Sequence, residues 1–191
     1  FKNMLRHRVI PCLLIQDEKL VKTLKFDSAK YVGDYLNAIK IFNDKEVDEL
    51  IVLDISASKK NLNPNLNLIK KFSSECFMPV CYGGGIKNFD QAKKIFKLGI
   101  EKICLQTSAL DNTSLITEIS KYFGSQSVIV SLDIKKDWLG NYRLFRSQNG
   151  NFEKLDWKVF LQKVIKAGAG EVLVNCVDKD GTMKGMDLNI I

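Results

Sequence analysis

Short apolar runs alternate with longer amphipathic stretches along this chain. Six of these runs are mostly apolar and rich in β-branched residues, which is typical of strands buried on both faces of a parallel sheet. They cover residues 9–15, 50–55, 78–82, 102–105, 127–133 and 171–175. The pattern therefore predicts six parallel strands.

Between these strands, apolar residues recur at the three- and four-residue spacing of an amphipathic helix. The helical stretches cover residues 34–42, 65–72, 89–98, 114–123 and 157–167. Asn88 and either Asp111 or Asn112 stand where a helix N-cap is expected. Gly124 and Gly168 follow helix ends, where a left-handed residue is favoured.

Strands that alternate with helices predict an α/β fold with a parallel sheet, either doubly wound or closed into a (β/α)8 barrel. The sequence contains neither the GxGxxG dinucleotide-binding motif nor a P-loop. Residues 50–55 and 129–134 resemble each other, which suggests a half-barrel repeat. Six β/α units do not complete a barrel. We therefore expect residues 1–191 to be a single barrel domain without its C-terminal quarter, roughly 60 residues.

Composition and charge narrow the function. The chain is 46% hydrophobic and 27% charged, as soluble globular proteins are. It has neither a signal-peptide core nor an apolar run near 18 residues, so we expect a cytoplasmic protein without membrane contact. Its net charge of +7 fits either a phosphorylated substrate or a lysine-rich surface without a specific partner. No run of basic residues is interleaved with aromatics, so nucleic-acid binding is not expected.

The cysteines and the single histidine make metal and cofactor chemistry unexpected. The five cysteines form no CxxC pair, and His7 alone cannot complete a metal site. Cys12, Cys104 and Cys176 lie in or beside apolar strands, so buried free thiols are the simplest interpretation.

A run of three glycines after the third predicted strand is a candidate phosphate cradle. Gly83, Gly84 and Gly85 place bare backbone amides ahead of a helix N-terminus, which attracts anions. Gln106 and Thr107 follow the next strand and supply further donors. A tight turn that binds no ligand is the alternative interpretation.

Asp133 ends the fifth predicted strand and would project into the mouth of a barrel. An aspartate there can act as a general acid or base. The alternative is a helix cap or a partner for Lys22 or Lys135. Asp54 and Asp180 also follow strands, but aspartates often only order loops.

Five segments resemble the signature blocks of one family, the cyclase subunit of imidazole glycerol phosphate synthase. They are residues 8–13, 53–58, 82–87, 123–130 and 178–182. The resemblance runs from about residue 6 to the end of the sequence. It implies a (β/α)8 barrel that uses no cofactor, takes ammonia from a glutaminase subunit and closes an imidazole ring on a substrate with two phosphates.

The resemblance also implies roles for individual residues. Asp133 corresponds to one of two catalytic aspartates, and Lys22 to a lysine of a mobile first loop. The residues that correspond to phosphate- or substrate-contacting positions are Gly84, Thr107, Asp180 and Gly181. A ring of four charged residues corresponds to the ammonia gate at the N-terminal end of the barrel: Arg8, Glu49, Lys102 and Glu171.

The sequence departs from the family pattern on the catalytic face. Leu14 stands where the second catalytic aspartate is expected, and leucine cannot transfer a proton. Residues 17–19 differ from the expected Asp-Gly-Arg, Thr23 replaces a usual glycine, and Gln106 replaces an asparagine.

Three hypotheses follow from these departures. The one that we favour is a paralogue that retains ammonia delivery but serves another acceptor, as second copies of this family do in surface-polysaccharide synthesis. The others are an active cyclase of histidine biosynthesis with one catalytic carboxylate, and a non-catalytic scaffold for the glutaminase.

Overall fold

The computed structural model describes residues 7–190, so the ends of the predicted domain, residues 1–6 and 191, lie outside it. One sheet runs through this part of the chain. Its strands are β1 (Cys12–Gln16), β2 (Lys19–Leu24), β3 (Asp27–Gly33), β4 (Leu50–Asp54), β5 (Val80–Gly83), β6 (Lys102–Leu105), β7 (Val128–Lys136), β8 (Tyr142–Arg146), β9 (Asn151–Phe152) and β10 (Glu171–Cys176).

Seven α-helices connect these strands. They are α1 (Tyr35–Asp44), α2 (Ile55–Lys59), α3 (Leu66–Ser73), α4 (Phe89–Phe96), α5 (Thr107–Asp111), α6 (Ser114–Phe123) and α7 (Trp157–Ala167). All five predicted helices are confirmed, and the short α2 and α5 are additions to them. The segment at the end of the sequence forms a short 3-10 helix, Leu188–Ile190.

The six predicted strands are confirmed as a parallel set in the order β1–β4–β5–β6–β7–β10. Each of them pairs with the next in sequence. A doubly wound sheet instead reverses its strand order at a switch point. The sequential order is that of a (β/α)8 barrel wall and decides between the two predicted architectures. Within residues 7–190 no pairing joins β10 to β1.

Two antiparallel hairpins extend this wall and were not predicted. β2 and β3 fold back along β1, and β8 and β9 fold back along β7. Nearly every residue of β3 is exposed, so it lacks the apolar alternation that marks a half-buried strand. Both hairpins follow the C-terminal ends of parallel strands, where a barrel carries its functional groups.

The strands place their side chains alternately on the two faces of the wall. On β4, Leu50 and Val52 join the main core under the helices, whereas Ile51 and Leu53 belong to a smaller cluster inside the wall. Cys104 is buried in this inner cluster. The prediction that Cys12 is buried is wrong, because β1 lies where the parallel wall is open.

Helix ends follow the expected capping chemistry. The predicted cap Asn88 accepts a hydrogen bond from Gln91 N at 3.0 Å. Before α6, the cap position is Thr113, and Asn112 contributes one residue earlier by accepting from Ser114 N at 2.9 Å. Gly168 ends α7 in the left-handed conformation. In residues 7–190, no helix is long and apolar enough to span a membrane.

Replacing Asp156 by alanine should destabilise α7. Its Oδ1 accepts from Lys158 N at 2.9 Å and from Val159 N at 3.3 Å. Loss of an N-cap costs about 1 kcal/mol, which urea denaturation would detect. Asp156→Asn keeps an equally good capping oxygen and should cost much less; equal losses in the two variants would contradict this role.

Candidate functional site

The inner face of the wall divides into three layers, because residues two apart on a strand point the same way. The order of the layers can be read along β10. It has a charge at its N-terminal end, an apolar residue in the middle and a polar group at its C-terminal end, which are Glu171, Leu173 and Asn175. β6 repeats this order with Lys102 and Cys104, followed by Gln106 just past its end.

The four residues that the resemblance assigned to a gate form one closed ring of ion pairs. Arg8 contacts Glu49 Oε2 at 3.1 Å and Glu171 Oε1 at 3.0 Å. Lys102 Nζ contacts the same two oxygens at 2.7 and 2.8 Å. The Glu49 side chain is only 3% exposed and that of Lys102 13%. Buried charges are tolerated only when they are paired, and here each carboxylate contacts both cations.

This ring sets the protonation of its members. Partial burial acts to raise the pKa of Glu171, but hydrogen bonds from Lys102 and Arg8 hold it below its usual value. Burial acts to lower the pKa of Lys102, and its bonds to the two glutamates raise it instead. Arg8, Lys102 and Glu171 are therefore charged at neutral pH. In the described part of the chain, Glu49 Oε1 is buried without a hydrogen-bond partner.

The middle layer is uncharged. It consists of Ile51, Cys81, Cys104 and Ile129, with Leu173 packed against them. Burial raises the pKa of both thiols well above the usual value, so they are protonated. An apolar section therefore separates the ring from the opposite end of the wall.

Asp133 lies at that opposite end and is only 4% exposed. Its Oδ1 accepts from Asn175 Nδ2 at 2.8 Å and from Ser131 Oγ at 3.0 Å. Its Oδ2 accepts from Gln106 Nε2 and Ser147 Oγ. Burial raises the pKa of Asp133, while its four donors oppose the rise. Among residues 7–190 this carboxylate neither caps a helix nor contacts Lys22 or Lys135, so both alternative interpretations of Asp133 are wrong.

A cavity of about 120 Å³ opens beside Asp133 and is lined by both polar and apolar side chains. Leu14, Leu53 and Phe26 are apolar members of this lining. They cannot exchange a proton with a bound molecule. The groups in the lining that can carry charge are Asp133, Asp54 and Lys59.

The glycine run forms part of a larger neighbouring cavity of about 480 Å³. Glycine is required here for steric reasons. A Cβ on Gly84 would lie 2.5 Å from Asp54 O, and one on Gly83 would lie 2.7 Å from Leu53 Cδ2. Gly85 has a φ of +70°, a conformation that other residues rarely adopt.

Thr107 supplies the most direct sign of a ligand in this cavity. Among the described residues its Oγ1 is buried without a partner, although buried polar atoms are normally hydrogen-bonded. Bare amides and a helix N-terminus beside a free hydroxyl can hold a phosphate. Gln106 lines both cavities, so a molecule in the larger one could reach Asp133.

Four other predicted site residues have different surroundings. Asp54 caps α2, since its Oδ1 accepts from Ser56 N at 3.0 Å and from Ala57 N at 3.1 Å, although it also lines the smaller cavity. Asp180 and Gly181 lie against the β2–β3 hairpin rather than the phosphate cradle. Lys22 is exposed on β2 and lines neither cavity.

The prediction from sequence missed three partners of Asp133, which are Ser131, Ser147 and Asn175. Ser131 and Asn175 could have been found, because Ser131 lies two residues earlier on β7 and Asn175 pairs with Asp133 from β10. Ser147 follows the short strand β8, whose sequence gives no strong apolar pattern. Within residues 7–190 there is no group of three or more histidine, cysteine or acidic residues that could bind a metal ion.

Comparison with known proteins identifies a family and several relatives that are similar to this chain. Residues 8–191 match the family described as histidine biosynthesis protein. A Pseudomonas aeruginosa protein, provisionally named imidazole glycerol phosphate synthase subunit hisF2, is 53% identical over 96% of this chain and 73% of its own length. A Vibrio vulnificus protein, provisionally named subunit hisF3, is 47% identical over 99% and 73%. The imidazole glycerol phosphate synthase subunit HisF of Chlorobium phaeovibrioides is 38% identical over 96% and 73%.

Replacing Thr107 by valine should weaken phosphate binding without a large change in shape. A hydrogen bond to a charged group contributes about 1.5–3 kcal/mol, so we expect a loss of roughly tenfold or more in affinity for inorganic phosphate by calorimetry. Thr117→Val is the matched control, because its hydroxyl binds Ala167 O outside the cavity. Unchanged affinity in Thr107→Val, or an equal loss in the control, would contradict the assignment.

The ring should stabilise the fold in a pH-dependent way. The pKa of Glu171 is lower in the folded chain than its ordinary value of 4.5. Its contribution is therefore present above that value and is lost as the pH falls through the lower folded pKa. We expect the difference in unfolding free energy between the native chain and Glu171→Gln to be constant from about pH 7 to 5 and to shrink below it.

Denaturation series at several pH values would measure this difference. The control is Glu75→Gln, at an exposed carboxylate that forms no ion pair within the described residues. Its difference should be small at every pH. A Glu171→Gln difference that did not shrink in acid would show that the ring does not stabilise this carboxylate.

Proposed function

Since the chain belongs to the histidine biosynthesis protein family, we propose that it is the ammonia-accepting barrel subunit of a glutamine amidotransferase complex. Its partner is a glutaminase subunit, and its acceptor is a phosphorylated small molecule. The chain is a paralogue of the cyclase subunit of imidazole glycerol phosphate synthase. The proposed acceptor belongs to surface-sugar synthesis rather than to histidine synthesis.

The observation that carries this proposal is the closed charge ring at the end of the wall opposite Asp133. Ammonia must enter as the neutral molecule, because an apolar interior excludes ammonium through the cost of desolvation. Lys102 closes the ring by contacting both Glu49 and Glu171. Displacement of its side chain would open a route into the apolar middle layer. The buried Glu49 Oε1 is available to accept a hydrogen bond from the entering ammonia.

At the other end of this route, the residues can do part of the chemistry of a cyclase. The glycine cradle and Thr107 hold a phosphate, and Gln106 connects the cradle to the Asp133 cavity. Asp133 accepts or donates one proton. Leu14 lies in the same cavity and cannot transfer a proton, and Asp54, the second carboxylate of the lining, caps α2. A reaction that needs a second acid–base group at the position of Leu14 would therefore be slow here.

An active cyclase is the second candidate function. The identity of 38% to the Chlorobium phaeovibrioides subunit and the burial of Asp133 favour it. A non-catalytic scaffold is less consistent with the unpartnered Thr107 hydroxyl, because a scaffold needs no ligand-binding cavity.

The direct test is ammonia-dependent turnover of the cyclase family's formimino ribonucleotide substrate by the full-length protein. We expect no turnover above about 1% of an ordinary cyclase, since loss of an acid–base residue costs 10²–10⁴-fold. Leu14→Asp should restore part of the activity, whereas Leu14→Asn, of similar size and polarity but without acid–base chemistry, should not. Native activity near that of an ordinary cyclase would overturn the paralogue proposal in favour of the second candidate.

The complex is tested separately. The full-length protein mixed with a glutaminase subunit from the same organism should elute as a complex in size-exclusion chromatography and raise glutamine hydrolysis. Absence of a complex would remove both ammonia-dependent candidates.

A further inference from the structure

The tip of the β2–β3 hairpin is held by one residue of the loop after β10. Asp180 Oδ2 accepts from Thr23 Oγ1 at 2.7 Å and from Phe26 N at 3.1 Å. The backbone oxygen of Asp180 accepts from Lys25 N at 3.0 Å. Thr23 is only 8% exposed, although most of the hairpin around it is open to solvent.

The hairpin tip also packs directly on the next residue. A Cβ on Gly181 would lie 2.1 Å from Thr23 O, closer than any side chain could approach. Gly181 itself has a φ of +68°, which glycine adopts without strain. This contact and the three hydrogen bonds join the hairpin to the β10 loop at a single point.

The turn needs this support because its backbone is strained. Lys25 and Phe26 have φ values of 53° and 63° and connect the paired residues Leu24 and Asp27. A two-residue turn of this kind favours asparagine followed by glycine. Residues with side chains are uncommon in this region, and each costs of order 1 kcal/mol or more. The two strained residues are the ones whose amides Asp180 binds.

The supported turn gives Phe26 a place in the candidate site. Its neighbours Lys25 and Asp27 are exposed, whereas Phe26 is partly buried and lines the cavity that contains Asp133. Leu14, Thr23 and Lys59 line the same cavity, and Lys59 Nζ donates to Phe26 O at 3.4 Å.

We propose that Thr23 is a positioning residue that acts through Asp180 to hold Phe26 as a wall of the Asp133 cavity. The hairpin thereby contributes to specificity by placing the apolar Phe26 ring in the lining of that cavity. The Asp180 carboxylate supports the hairpin that carries this ring. The positioning role of Thr23 does not depend on the proposed function. Only the reaction in the Asp133 cavity rests on it.

Amide hydrogen exchange by NMR tests the positioning role without any turnover. In Thr23→Val, which keeps the shape but loses the hydroxyl, exchange at Lys25 and Phe26 should accelerate at least tenfold. Thr23→Ser keeps the hydroxyl and should restore slow exchange. Ser28→Ala, in the same hairpin but without contact to Asp180, should leave both amides unchanged. Exchange within β7 should be the same in all variants and thus exclude general unfolding.

Slow exchange at both amides in Thr23→Val would overturn the proposal, as would fast exchange that Thr23→Ser fails to restore. A kinetic measurement adds a second criterion once an acceptor is turned over. Thr23→Val should then raise KM for that acceptor several-fold while kcat changes little, because Asp133 and its donors are untouched. A fall in kcat alone would also overturn the proposal. If no acceptor reacts, the proposed function fails, but the exchange result still decides the role of Thr23.

Discussion

Side-chain alternation along a parallel strand is the constraint on which the organisation of this molecule depends. Because residues two apart share a face, the inner surface of the wall becomes a stack of layers, and each layer takes one residue from each of several strands. β10 contributes one residue to each of three layers: Glu171, Leu173 and Asn175. β6 and the residue after it do the same with Lys102, Cys104 and Gln106. A shift of one residue in any strand would place its charge among the outer helices and its core residue inside the wall. Strand register therefore fixes the fold and the candidate site together.

The charged layer is stable because it is closed. Two cations and two carboxylates contact one another in turn, so no charge in the ring depends on a single partner. Such a ring contributes less to stability than apolar residues of equal volume could, since desolvation of ions offsets much of their attraction. The desolvation of these four charges has a purpose if the ring performs a function that apolar residues cannot, such as excluding ions while a neutral molecule enters. The apolar middle layer above it, with its protonated thiols, suits the same passage.

At the opposite end of the wall, two hairpins add residues to the cavity that the parallel strands form around Asp133. The β8–β9 hairpin brings Ser147 to Asp133, and the β2–β3 hairpin brings Phe26 to the lining of the cavity. A carboxylate with four donors is held in one orientation. Leu14 is paired with Leu53 of β4 and lines the same cavity as Phe26, so it lies among apolar neighbours. The end of the wall that holds Asp133 departs from the pattern of the family at Leu14, Thr23 and Gln106, whereas the charged end retains it.

The sequence by itself determined the elements whose signals are local. Buried strands are marked by continuous apolar runs and helices by their periodicity, so all six parallel strands, five helices and the positions of Asp133 and the glycine cradle followed from pattern alone. Resemblance to a family added the four charges of the ring. Only the tertiary structure decided the direct pairing of those charges, the donors of Asp133, and the contact of Asp180 with Thr23 rather than with the cradle. These contacts join residues about 40 to 160 positions apart, except for the nearer Ser131, Ser147 and Gln106. The hairpins that create several of them carry little apolar periodicity, so the packing of the wall, not any local preference, sets where their tips lie.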